Sequence, residues 1–223
     1  MNRHLTFFSL AHASLVLLAA FGWIASHAQD ISANARLLAA GRVGDEAGVA
    51  RALAEGATPN ARNRVGETLL VMALESDRPD LAQKMIDAGT NVNLAAVNGV
   101  TPLMAAAHGG HSAVVQALLA KGADISAVDR LQKNAMIYAA GQGHTKIVAL
   151  LLHAGVNVNA SYAHSLTALM WAAGYGRDDT VKTLLNAGAS VSPKDDRGKT
   201  AVDIAREGGF VNTVEVLEAA TTH

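Results

Sequence analysis

Thr68, Thr101, Asn134, Thr167 and Thr200 stand 33 residues apart in this sequence, and so do Gly56, Gly89, Gly122, Gly155 and Gly188. Two ladders of one period, held in phase over most of the chain, require one supersecondary unit repeated in tandem. The residue types say what that unit is. Thr and Asn accept hydrogen bonds from the free N–H groups of a starting helix, and Pro102 after Thr101 fits the first helical position. Leu103 and Ala105-Ala106-Ala107 then predict a short helix that neighbours can approach closely, and Gly110 ends it. Ser112 to Ala120 predicts a second helix. Its Val114, Val115, Leu118 and Leu119 form one apolar stripe at helical spacing, which Ile147, Val148, Leu151 and Leu152 repeat one period on. Thr180, Val181, Leu184 and Leu185 repeat it again, and Gly122 supplies the left-handed residue that closes such a helix. A helix pair this small cannot cover its own stripe, so neighbouring pairs must stack on it. The predicted fold class is all-α, a solenoid of about six 33-residue helix-turn-helix units.

These segments resemble the ankyrin-repeat family over roughly residues 34–220. The strongest are TPLMAAAHGGHSAVVQALLAKGADISA and TALMWAAGYGRDDTVKTLLNAGASVS, followed by ETLLVMALESDRPDLAQKMIDAGTNVN and NAMIYAAGQGHTKIVALLLHAGVNVN. LLAAGRVGDEAGVARALAEGATPN is similar to an N-terminal capping unit, and DRGKTAVDIAREGGFVNTVEVLEAA to a last one. The units expected from the resemblance run near 34–62, 63–95, 96–128, 129–161, 162–194 and 195–220. The family's first helix usually carries a His that ties the turn. Here Val71, Met104, Ile137, Met170 and Asp203 hold those places, so apolar packing is expected instead. Ser76-Asp77-Arg78-Pro79 lacks the helix-ending glycine found at Gly110, Gly143, Gly176 and Gly209, and Pro79 is expected to start its second helix.

The N-terminus has a different character. Asn2, Arg3 and His4 make a short positive start, and an apolar stretch runs from Leu5 to Ile24. Ser26-His27-Ala28 then places small residues at the −3 and −1 positions of a cleavage site before Gln29. Residues 1–28 are read as a signal peptide and 29–33 as a short mature N-terminal segment. The protein is accordingly expected in the bacterial periplasm or secreted, with no stable membrane insertion after cleavage. The rival is an uncleaved helix anchoring it to the inner membrane, since about 20 apolar residues span a bilayer. Ser9, His12 and Ser14 within the stretch, and no basic cluster after it, favour cleavage.

Chemistry is sparse. No cysteine is present, which excludes disulfides and thiolate sites. Of 18 basic and 19 acidic residues, the first 28 contain Arg3 alone, leaving 17 against 19. That gives no electrostatic footprint for nucleic acid. His108 and His111, with His144, His153 and His164, raise a metal site, but no carboxylate stands at ligand spacing beside them. The family resemblance places His111 and His144 at a Gly-His step whose ring bonds an adjacent loop. Asp178-Asp179 opens a second helix, where acids suit the dipole, and Asp195-Asp196 lies in a loop where the family often carries Asp. No nucleophile elbow or phosphate loop appears, and Gly141-Gln142-Gly143 is read as a helix end. No catalytic residue, metal or cofactor is expected.

What remains is binding. In the resembled fold, loop tips and the exposed face of the first helices form a variable concave strip. Here that strip takes Val65, Glu67, Glu75, Asn98, Val100 and His108 in its first part, then Arg130, Leu131, Lys133, Gln142, His164, Leu166, Tyr175 and Arg197, with Lys199 and Glu207 at its end. The eight residues from Arg130 to Arg197 are the candidate partner-binding set, because interface centres favour aromatics and Arg. Trp171 and Tyr138 fall where the family has Leu and are expected in the core, whereas Tyr175 is expected at an exposed helix end. The expected function is a non-catalytic protein–protein interaction module, monomeric, with another protein as partner. Proteins it resembles support periplasmic stress enzymes such as catalases or confer toxin immunity, and a membrane-tethered scaffold is the alternative if the leader is retained.

Overall fold

The computed structural model describes residues 33–221, so the leader assigned to 1–28 and the segment up to 32 lie outside the described residues. The chain divides into two compact units, one ending at Ala61 and one beginning at Arg62. In the first, residues 33–43 form helix α1 and Glu46–Ala54 form α2. Asp45 caps α2, its Oδ1 accepting from the Gly48 N–H at 2.9 Å. Asn34 Oδ1 accepts from the Thr58 N–H at 2.8 Å, tying the unit's two ends, and Leu37 is fully buried.

The second unit holds five helix pairs. They are α3 (Leu69–Glu75) with α4 (Pro79–Asp87), α5 (Pro102–Gly109) with α6 (Ser112–Ala120), and α7 (Ala135–Gln142) with α8 (Thr145–His153). α9 (Ala168–Gly174) with α10 (Asp178–Asn186), and α11 (Ala201–Glu207) with α12 (Val211–Thr221), complete the set. The first helices of the pairs stack on one another in chain order, and the second helices form a parallel layer behind them. Among the described residues there is no strand, only isolated bridges joining Arg62 to Thr68 and Ser161 to Thr167. This is the expected all-α helical-repeat solenoid.

The local chemistry follows the two ladders. Thr68, Thr101, Asn134, Thr167 and Thr200 each cap the N-terminus of a first helix, the side chain accepting from a backbone N–H three residues on. Gly122 has φ 79° after α6, and a Cβ there would meet nothing within 4 Å, so backbone conformation alone selects glycine. The apolar stripe is buried: Val114, Val115 and Leu118 on α6, Ile147, Val148 and Leu151 on α8, Val181 and Leu184 on α10. First helices bury alanines instead. Ala106, Ala107, Ala139, Ala140, Ala172 and Ala173 are fully buried, and their small size lets the stacked helices approach.

At the replaced histidine positions, packing is only part of what holds the turn. Val71, Met104, Ile137 and Met170 are buried as expected. Yet the Thr101 and Thr167 N–H groups also point at the Met104 and Met170 sulfurs, at 3.5 and 3.4 Å, as weak reciprocal bonds. Asp203 does better, accepting from the Thr200 N–H at 3.0 Å. Pro79 starts α4 as expected, and Asp77 itself takes the left-handed conformation (φ 55°) that glycine supplies elsewhere.

Candidate functional site

The candidate residues sit on the loop tips and on the open face of the first helices, and three of the five tips share one device. Asn63 Oδ1 accepts from the N–H groups of Val65 and Glu67, both at 3.0 Å. Asp129 does the same with Leu131 and Lys133 at 2.8 and 2.9 Å, and Asp195 with Arg197 and Lys199, both at 2.9 Å. Neighbouring tips are then linked through backbone. Val97 N–H donates to Val65 O, Arg130 N–H to Asn98 O and Asp196 N–H to His164 O, each at 3.1 Å.

One step of that ladder is missing. Ala163 N–H makes no bond to Leu131 O, and position 162 holds Tyr162, which cannot organise a tip as a carboxylate does. Residues Ala163–Ser165 form a 3-10 turn instead, with His164 and Ser165 both at φ 59°. The Tyr162 hydroxyl accepts from Asn134 Nδ2 at 2.8 Å, and burial pushes its pKa up against that bond. The left-handed tip position is glycine at Gly66, Gly99 and Gly198, but Gln132 (φ 58°) and Ser165 in the two units flanking the gap. A side chain in that conformation costs roughly 1–2 kcal/mol, and strain of this kind gathers at functional sites.

Between these two tips lies a cavity of about 330 Å³ lined by Leu131, Lys133, His164, Leu166, Tyr162 and Trp171, with Gln132 and Ile137 behind. Four of the eight candidate residues therefore converge. Tyr175 borders them, its ring stacked on Trp171 at 6.0 Å and half exposed. Lys133 Nζ lies 4.5 Å over the Trp171 ring and 5.8 Å from that of Tyr138. Arg130 is exposed at the tip beside Leu131. The other two do not join. Gln142 Nε2 meets His108 Nε2 at 3.0 Å on the far side of α7, and Arg197 folds onto its own loop, bonding Asp195 Oδ2 at 2.8 and 2.9 Å.

Trp171 and Tyr138 correct the expectation that they belong to the core. Both are partly exposed, Trp171 lining the cavity between the two tips and Tyr138 lining a recess on the other side of α7 beside His108. Their neighbours Met170 and Ile137 occupy the core, and one residue further along a helix turns about 100° toward the open face. The Tyr138 hydroxyl donates to Asp129 Oδ2 at 2.5 Å. Burial, then that bond, then the carboxylate charge hold the phenol neutral.

Several polar groups here are engaged in holding the fold. Asp129 is consumed by two backbone donors and Tyr138. His108 and His111 border one recess but turn their Nε2 atoms to different neighbours, His108 to Gln142 and His111 toward Asp77. Asp178 and Asp179 open α10, and Asp178 accepts from the Thr213 hydroxyl. Among the described residues no three His, Asp or Glu side chains gather as metal ligands, and no helix is long and apolar enough to cross a membrane. What the arrangement offers is an apolar, aromatic recess with a cation at its edge. A family model described as ankyrin repeats (three copies) matches residues 36–129, 73–162 and 136–221. A comparison with curated protein sequences gives no match.

Proposed function

The chain belongs to the ankyrin-repeat family, whose members bind other proteins, and from that premise we propose an exported, non-catalytic module that grips its partner at the recess between α7 and α9. The observation that carries this reading is the interrupted tip ladder. The chain places strained Gln132 and Ser165 where glycine would relax the backbone, and a cavity opens between them beside Trp171 and Tyr175. Aromatic groups held rigid at the edge of a recess are the side chains that dominate binding energy once desolvated. Arg130, Leu131, Lys133, His164, Leu166 and Tyr175 form the proposed contact, with Gln142 and Arg197 toward its rim.

Export to the periplasm, or secretion, is proposed from the sequence of residues 1–28. Intact mass of protein from the envelope fraction tests it: a mature start at Gln29 supports export, and retention of residues 1–28 moves the protein to the anchored class.

Affinity capture from the cell envelope tests the surface. Tyr175→Ala and Arg130→Ala are expected to weaken partner capture, the tyrosine by about 2 kcal/mol, with the thermal melt nearly unchanged. If both variants capture the partner as wild type does, while changes at Lys182 or Glu215 on the second helices abolish capture, the opposite face is the site.

A further inference from the structure

A second recess lies between α3 and α5, and its chemistry is opposite to the first. It encloses about 430 Å³, walled by Leu74, Met104 and Ala105, with Glu75, Asp77, His108, His111 and Tyr138 as its polar lining. Glu75 carries no ion pair or hydrogen bond among the described residues, and burial followed by the charge of Glu67 pushes its carboxyl pKa up. An unpaired, partly desolvated carboxylate is a poor way to hold a fold together.

The second observation is independent of the acids. At two junctions the residue after the left-handed position reaches back to a carbonyl of the preceding unit. His144 Nε2 bonds His108 O at 2.9 Å, and Arg177 Nε bonds Gly141 O at 3.0 Å. His111 occupies the same place but does not close. Its side chain is 93% buried, Nε2 has no hydrogen-bond partner, and the nearest charged group is Asp77 Oδ1 at 3.7 Å. A buried ring nitrogen left in this way destabilises the fold unless a ligand satisfies it. The break coincides with the one unit that lacks the helix-ending glycine. Asp77, in the left-handed conformation there, places a largely exposed carboxylate at the mouth of the recess.

We propose that this recess receives an arginine side chain of the bound partner. It holds three acceptors, the Glu75 and Asp77 carboxylates and His111 Nε2 when the ring carries its proton on Nδ1, while the other two polar side chains of its lining are turned elsewhere, His108 Nε2 to Gln142 and the Tyr138 hydroxyl to Asp129. A guanidinium has five donors, no acceptor, and a planar fork that suits two carboxylates, and its aliphatic stem fits the wall of Leu74, Met104 and Ala105. An ammonium has fewer donors and a stronger hydration shell. This inference rests on the protein-binding reading and adds the chemistry of one contact.

The test titrates the purified full chain with N-acetyl-arginine amide, following the Met104 methyl and His111 ring signals by NMR. N-acetyl-citrulline amide, which keeps the shape without the charge, is the control. Saturable shifts with arginine, absent with citrulline and weakened roughly tenfold or more in Glu75→Gln/Asp77→Asn, support the proposal. Asn tolerates the left-handed conformation, so Asp77→Asn preserves the turn, and the melt verifies it. Equal shifts with citrulline, or arginine shifts unchanged in the double variant, overturn it. So does the absence of shifts at both reporters. Arginine binding that survives while Tyr175→Ala and Arg130→Ala leave partner capture intact would sink the proposed contact at α7–α9 and not this recess.

Discussion

The recess at α3–α5 and the recess at α7–α9 lie at junctions two units apart but at opposite ends of the first helices, and they depart from the regular chemistry of the repeat in opposite ways. The first loses the closing bond at the inner end of the helix pair and gathers carboxylates. The second loses the backbone bond at the loop tip and gathers aromatics beneath a lysine. Between them, at α5–α7, both links are intact: Arg130 N–H reaches Asn98 O, and His144 Nε2 reaches His108 O. At these two junctions a recess lies where one connecting bond is withheld, and the side chains at the opening set the chemistry of what enters. Glu75 and Asp77 suit a cation, whereas Lys133 and Arg130, with no carboxylate within ion-pair reach among the described residues, suit an anion.

The sharpest way to break this contrast is to disturb the intact junction. Gly110 has φ 79°, and a Cβ there would stand 2.7 Å from His144 Cε1. Gly110→Ala is expected to cost about 2 kcal/mol or more, combining the left-handed penalty with expulsion of the His144 ring. The reverse change at the open junction, Asp77→Gly, should raise the denaturant midpoint. If Gly110→Ala unfolds at the wild-type midpoint, the His144 closure contributes nothing and its absence at His111 loses its meaning.

A smaller effect separates the two recesses at their tips. Gln132→Gly is expected to stabilise the fold by about 1 kcal/mol, because glycine relaxes the left-handed position. The same variant should bind the partner less well if the rigid tip shapes the recess. A fall in stability would show that Gln132 is held by contacts that outweigh its backbone strain, and the α7–α9 opening would no longer be a strained one.

Much of this was legible in the chain, and the rest was hidden for identifiable reasons. The Thr/Asn and Gly ladders gave the helix ends because capping and left-handed closure depend on single residues. The gap at residues 162–166 was not visible, since its cause is a bond not made between two tips, and Leu166 was placed on the strip without it. Trp171 and Tyr138 were assigned inward because the resembled family carries Leu at those places, which says nothing of how far a larger ring leans out. His111 read as equivalent to His144 by sequence. Only the backbone around Asp77, which lacks glycine, shows that the two rings meet different surroundings.

The smallest expected effect bears most directly on whether the α3–α5 recess is a site or an imperfection of folding. Burial raises the pKa of Glu75 above its ordinary value, with Glu67 adding to it. The folded chain therefore holds that proton more tightly than the unfolded chain. The favourable contribution is fully present below the unfolded pKa and is lost as pH rises through the folded one. Glu75→Gln removes the titrating charge, so the variant should melt slightly above wild type at neutral pH. The difference should close as pH falls through the carboxylate range, and melts taken across that range check both. Glu75 is partly exposed, so solvent screening keeps the effect small. A difference that stays constant with pH, or grows as pH falls, would show that Glu75 is not destabilised by its surroundings. The joint outcome is more informative than either half. A substitution that strengthens the free protein and weakens its hold on arginine marks a group kept for binding at the expense of stability.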